Sequence, residues 1–179
     1  MRCFIAIELP DKVKERLVLV QRDFGYEGIS LVKKDALHIT ISFLGDISNN
    51  AAGSIEEELS TVECHSFNVE CIGLGFFSAD RISAIFARVQ KNEGLDSLYE
   101  SVSAAVKRVV YLREERNFVP HITIARVRKA NKADLVHRII EHEGIDFGEF
   151  DVASFSLKKS TLTQDGPIYE TLRVFHLEK

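Results

Sequence analysis

The chain has 179 residues, enough for one domain or for two small lobes around a shared core. It is 45% hydrophobic and 28% charged, with only 3 Pro and 10 Gly, which excludes a disordered or low-complexity chain, and no apolar run approaches the roughly 20 residues that cross a bilayer. A net charge of −4 and a pI near 5.9 exclude bulk electrostatic grip on long nucleic acid, while leaving room for a local positive pocket.

The opening segment MRCFIAIELP lacks the apolar run and cleavage site of a signal peptide, so a cytoplasmic protein is expected. Arg2 to Glu8 reads as a strand. Pro10 and Asp11 start a helix whose stripe is Val13, Leu17, Val20 and Phe24, ended by Gly25 and Gly28. Leu31-Val32 is a short strand candidate, and Lys33-Lys34-Asp35 a turn. Leu37 to Leu44 is a β-branched strand predicted to stop at Gly45-Asp46. Ile55, Leu59 and Val62 mark a second helix. Phe67–Phe77 and Ile82–Val89 form a hairpin around Ser78-Ala79-Asp80, and Gly94 precedes a long helix on Leu95, Leu98, Val102, Ala105 and Val109. Phe118 to Val127 is a strand entered through Pro120, and Leu135 and Ile139 carry a fourth helix ended by Gly144. Phe150–Leu157 and Ile168–Leu177 read as closing strands, separated by the turn-rich Thr163 to Pro167. The sum predicts an α+β fold: antiparallel sheets in two pseudo-symmetric lobes, helices on the outer faces and a cleft between, with residues 1–179 as a single unit.

One tetrapeptide occurs twice. His38-Ile39-Thr40-Ile41 returns letter for letter as His121-Ile122-Thr123-Ile124, 83 residues later. Side chains alternate along a strand, so His38 and Thr40 share one face while Ile39 and Ile41 enter the core, and the second copy repeats this. If the lobes meet about a pseudo-two-fold, both polar faces line one cleft. Two histidines leave zinc short of its usual ligands, and the three cysteines (Cys3, Cys64, Cys71) include no C-x-x-C pair, so neither a metal nor another cofactor is expected. The pair suits phosphodiester cleavage without metal. Imidazole serves as base or acid near neutral pH, and a threonine hydroxyl can donate to a non-bridging phosphate oxygen. The residues alone do not say which histidine does which.

With these motifs in place, the sequence resembles the two-histidine phosphoesterases, specifically the archaeal and bacterial RNA 2',3'-cyclic phosphodiesterases once called 2'-5' RNA ligases. The resemblance runs through RCFIAIELP, LHITISFLGD, FVPHITIARV and SFSLKKSTLTQDGPIYETLRVFHL. It implies a metal-independent enzyme that opens a 2',3'-cyclic phosphate at an RNA end to a 2'-phosphomonoester, with His38 as proton donor and His121 as base. Reversible 2'-5' ligation would be secondary. The implied partner is an RNA end, single-stranded or tRNA-like, with no membrane and no obligate protein partner.

Arg126 matches the arginine that closes the family's P-H-x-T-x-x-R segment, and a guanidinium suits phosphate. Strict alternation nevertheless turns Arg126 away from His121 unless the strand twists, bulges or ends there. The first motif has Phe43 at that place. Ser42 falls on the His38 face, Lys33, Lys34, Arg128, Lys158 and Lys159 are candidates for a basic rim, and the phenylalanines are core residues of which one or two are free to stack on a base. In the closing motif Thr161 stands where an arginine is common in the family, which leaves Tyr169 as packing or cleft edge. His65, His137, His142 and His176 lack motif partners. Rival readings are the same chemistry on a small cyclic nucleotide, a 2'-5' bond or an ADP-ribose cyclic phosphate; a non-catalytic RNA-end binding module; and a purely structural duplication.

Overall fold

A computed structural model describes residues 1–78, 81–111, 118–164 and 166–179. Ala79 and Asp80 of the expected hairpin turn, and Asp165 of the closing turn, lie outside the described residues. The elements in order are β1 (Arg2–Glu8), α1 (Asp11–Gln21) running into a 3-10 turn (Arg22–Phe24), β2 (Ile29–Leu31), β3 (His38–Asp46), α2 (Asn49–Leu59), β4 (Phe67–Ser78), β5 (Ile82–Val89), α3 (Glu93–Lys107), β6 (His121–Val127), α4 (Lys132–Glu141), β7 (Asp146–Val152), β8 (Ser154–Thr163) and β9 (Gly166–His176). Among the described residues no helix is long and apolar enough to cross a membrane.

The strands form two antiparallel sheets, β3-β1-β8-β9 and β2-β6-β5-β4-β7. The α+β architecture is as the sequence predicts, and each copy of the repeat opens a strand in its own sheet. The lobes are not the two halves of the chain, however. The first sheet takes β1 and β3 from the beginning and β8 and β9 from the end, and the second takes β2 together with β4 to β7. Helix α1 packs on β6 and β7, α4 on β4, and α3 reaches both β3 and β4. Ile39, Ile41, Ile122 and Ile124 are completely buried beneath the motif faces, each burial contributing about 1.5–3 kcal/mol. Three helices start on side-chain caps: Ser48 Oγ accepts from the Ala51 N–H, Asn92 Oδ1 from Leu95 and Asn131 Oδ1 from Ala133 and Asp134.

Several boundaries differ from expectation, among them the short strand, found at Ile29–Leu31 rather than Leu31-Val32, and β6, which starts at His121 rather than Phe118; three have clear physical reasons. The strand expected over 150–157 is two strands in different sheets, broken at Ala153. Phe150 and Val152 are buried on β7, Phe155 and Leu157 on β8, and the parity of the apolar positions changes at the break. Strand β3 continues through Gly45, which pairs with Cys3 after a register shift at Leu44 and has a φ of +69° that a side chain would resist. The long helix begins before Gly94, because Asn92 caps it.

Glycine positions give a sharp contrast in expected stability. Gly73 in β4 has φ +76°, and a Cβ there would stand 2.1 Å from the Glu143 carbonyl oxygen. Gly53 lies inside α2 with nothing within 4 Å. Denaturant unfolding should show Gly73→Ala losing about 2 kcal/mol or more, and Gly53→Ala gaining roughly 0.5–1 kcal/mol.

Candidate active site

The motif strands meet at the seam between the sheets, where β3 approaches β6. The two histidines are held alike. His38 Nδ1 donates to the Ala36 carbonyl at 2.8 Å, and His121 Nδ1 donates to the Val119 carbonyl at 2.8 Å, each two residues back along the chain. A carbonyl only accepts, so Nδ1 carries the proton and Nε2 is the lone-pair nitrogen of each neutral ring. The Thr40 hydroxyl donates to His38 Nε2 at 3.0 Å. Thr123 holds the matching place two residues beyond His121, half-buried and opposite Phe86 of β5.

Both strands carry an extra residue at the same point. Opposite β1, Thr40 pairs with Ala6 and Ser42 with Ile5, which leaves Ile41 without a partner. Opposite β5, Thr123 pairs with Phe86 and Ala125 with Ile85, which leaves Ile124 without one. These are β-bulges, and each reverses the alternation that follows it. Arg126 therefore turns outward on the side of His121 and Thr123, resolving its parity conflict, while Ser42 turns inward and is buried rather than facing the cleft. Phe43, the counterpart of Arg126, is 58% exposed and is not a core residue.

Rings line both sides. His38 lies 5.0 Å from Phe4 and 5.3 Å from Tyr169 between ring centroids, and His121 lies 4.7 Å from Phe77 and 5.3 Å from Phe86. Tyr169 thus packs directly on His38. Burial pushes its phenol up while the charges of Arg126 and Arg2 pull it down, so both arginines act on this side of the cleft.

Glu8 and Lys158 were not recognised as a pair from the sequence. Lys158 is only 7% exposed and bonds to the Glu8 carboxylate, whose other oxygen meets Lys14 at 3.5 Å, so it is not a free rim cation. Glu8 stands directly across the ladder from His38. The available signal was a carboxylate ending a buried strand. Lys159 bonds Glu170 and Lys34 bonds Glu15, so these too are partnered. Of the unassigned histidines, His142 is less exposed than expected: Nδ1 meets the Arg138 carbonyl and Nε2 meets Asp23 at 2.9 Å.

Burial is the largest influence on both motif histidines. It brings His38 down to about 4, helped by the charges of Lys158 and His121 and opposed by the Ala36 carbonyl and Glu8. His121 is lowered by burial against the bond to Val119. Glu8 is pushed up by burial, but Lys158, Lys14 and His38 outweigh this and hold its carboxyl low. Among the described residues no three His, Cys, Asp or Glu side chains converge as a ligand set for a metal ion.

The sequence matches the model of the 2'-5' RNA ligase superfamily over residues 9–162. It is 35% identical to the RNA 2',3'-cyclic phosphodiesterase of Archaeoglobus fulgidus, covering 98% of this chain and 99% of that protein. It is 34% identical to the enzyme of that name from Methanocaldococcus jannaschii, covering 97% and 99%. The crystal structure of TT0787 from Thermus thermophilus superposes with a TM-score of 0.81 at 28% identity, covering 98% of this chain and 97% of that one.

The His38 environment fixes a pH dependence of stability. An unfolded imidazole titrates near 6.5 and the folded one at about 4, so between those values the unfolded chain binds more protons and folding weakens as pH falls. Urea unfolding of the native chain at pH 6.5 and pH 4 should show a loss that His38→Gln reduces by up to about 3 kcal/mol.

Proposed function

The chain belongs to the 2'-5' RNA ligase superfamily, and from that premise we propose that His38 and His121 together open 2',3'-cyclic phosphates at RNA ends. It is a two-histidine phosphoesterase that hydrolyses RNA 2',3'-cyclic phosphate. The observation that carries the catalytic reading is the matched pair of imidazoles. Each is anchored through Nδ1 to a carbonyl two residues back, each on a strand bulged at the same place, and His121 is near enough to act on the charge of His38. The same reading takes residues 1–179 as one two-lobed unit with one motif in each lobe.

In the proposed reaction His121 Nε2 takes a proton from water as its oxygen attacks phosphorus. The bond from phosphorus to the 3' oxygen breaks in line, and His38 Nε2–H gives its proton to that oxygen. The products are a 2'-phosphomonoester and a 3'-hydroxyl, and proton exchange with solvent resets the pair. Thr40 and Thr123 donate to non-bridging oxygens as negative charge builds, and Arg126 supplies the fixed positive charge. The Thr40 hydroxyl is spoken for while His38 is neutral. Once His38 is protonated, Nε2 needs no donor and the hydroxyl turns to phosphate.

Assigning acid duty to His38 follows the family resemblance, and its depressed pKa sets a condition on it. In the free protein both rings are neutral at pH 7. The substrate's anionic phosphate is the counter-charge that draws a proton onto His38, with Glu8 across the ladder acting in the same direction. Phe43, exposed on the outward side of its strand, offers a ring to a terminal base without sequence preference.

Turnover of a short RNA ending in a 2',3'-cyclic phosphate, with chelator present, tests the reading. Wild type should yield the 2'-phosphate, and His38→Ala or His121→Ala, still folded, should lose about 10²–10⁴-fold. If wild type leaves this RNA intact, the substrate assignment fails and small cyclic nucleotides become the next candidates. The pH profile is a separate check. One histidine must be protonated while both are lowered below 6.5 in the free protein, so kcat/KM should fall about tenfold per unit above pH 7.

A further inference from the structure

Gln21 is the last residue of α1, 4% exposed, at a helix position otherwise given to apolar side chains. Its carboxamide nitrogen donates twice, to the Ile124 carbonyl at 2.7 Å and to the Val32 carbonyl at 2.8 Å. Ile124 is the unpaired residue of the β6 bulge. Its carbonyl is turned toward β2, where it also accepts from the Val32 N–H at 2.9 Å. Val32 leaves β2 toward the 3-10 turn (Lys34–Ala36) that carries the carbonyl holding His38. One buried amide therefore joins the extra residue of the second motif strand to the segment leading into the first.

We propose that Gln21 is a positioning residue for the phosphodiesterase reaction, fixing the β6 bulge that turns Arg126 into the cleft. This rests on the function proposed above. The physical argument concerns alternatives open to the strand. Without the extra residue the alternation would run unbroken from His121, and Arg126 would point with Ile122 and Ile124 toward the core. A bulged carbonyl has lost its ladder partner on β5 and needs donors from elsewhere. Val32 supplies one. Gln21 supplies the other, through a short side chain anchored by a helix end that also packs on β6, so the bulge is held at Ile124 and cannot migrate along the strand. An apolar residue of the same shape would fill the space and leave the buried Ile124 carbonyl and the half-buried Val32 carbonyl each short of a donor. Ala125 and Val127 beyond the bulge are both buried, so a shift of the bulge would have to expose one of them as Arg126 withdrew.

The test is a double-mutant cycle of Gln21→Met and Arg126→Ala, read as kcat/KM on a cyclic-phosphate RNA, with unfolding measured in parallel. Acting through Arg126, Gln21→Met should lower kcat/KM about tenfold in the native background yet no more than about threefold in the Arg126→Ala background. A plainly structural glutamine would lose the same factor in both backgrounds, and that additivity overturns the inference while leaving the function intact. An Arg126→Ala protein as active as wild type also overturns it. A wild type that leaves the RNA untouched removes the function and this inference together, so the two failures are told apart by wild-type turnover. If Gln21→Met does not fold, Gln21→Glu takes its place in the same cycle. It keeps the shape but sets a carboxyl, at most a single donor, against two carbonyl oxygens, and it should lose activity only where Arg126 is present.

Discussion

A strand that alternates strictly can show a cleft residues i, i+2 and i+4, and nothing at i+5. A site that needs a histidine, a threonine and then a residue at i+5 on one face has to break the alternation once between them. In this protein the break is a single unpaired isoleucine, Ile41 in one motif strand and Ile124 in the other. Each isoleucine is fully buried, so the irregularity is anchored by apolar packing as well as by hydrogen bonds. The rest of the cleft depends on that extra residue. It buries Ser42 and Ala125, brings out Phe43 and Arg126, and leaves the histidine–threonine pairs in place on the near side.

The electrostatics follow from the same geometry. Putting imidazoles at the seam between two sheets surrounds them with Phe4, Tyr169, Phe77 and Phe86 and removes water, which keeps both rings neutral. A neutral pair has no acid until an anion arrives. The charges behind His38 oppose each other: Glu8 favours its protonation, Lys158 opposes it less strongly, and the two are bonded to each other. On the function proposed above, an incoming phosphate adds to the pull of Glu8, so protonation of the proposed acid is coupled to occupancy of the cleft. Thr40 fits this arrangement, since its hydroxyl satisfies Nε2 only while the ring is neutral.

Much of this was legible in the sequence, and what was missed has identifiable causes. The helix stripes, the hairpin and the paired motif strands follow from period and β-branching, which local sequence controls. The closing strands were misread over 150–157 because β-propensity is continuous there. The parity of apolar positions switches between Val152 and Phe155, and a switch of parity was the available sign that the chain changes sheets. The same sign marks the bulges. Ile122 and Ile124 give way to Ala125 and Val127, and Ile39 and Ile41 to Leu44. Polar residues whose partners are distant in sequence were harder. Glu8 and Lys158 are 150 positions apart and Gln21 and Ile124 are 103 apart, so nothing local announces either contact.

The repeat is exact in its four letters and inexact just beyond them, and the departure has a chemical consequence. Two identical strands about a pseudo-two-fold would present a phosphate with two equivalent faces, and a cyclic phosphate could bind in either of two orientations. Five residues past each histidine the copies diverge, Phe43 on one strand and Arg126 on the other, both turned outward by equivalent bulges. One strand then offers an exposed aromatic ring and the other a guanidinium. The base and the phosphate of one nucleotide are unlike in the same way, so on the function proposed above only one orientation satisfies both. Orientation decides which oxygen departs opposite the attacking water, and hence which of two otherwise similar imidazoles must give a proton and which must take one. On this reading the division of labour between His38 and His121 is imposed less by the histidines' own surroundings than by the unlike residues that follow them.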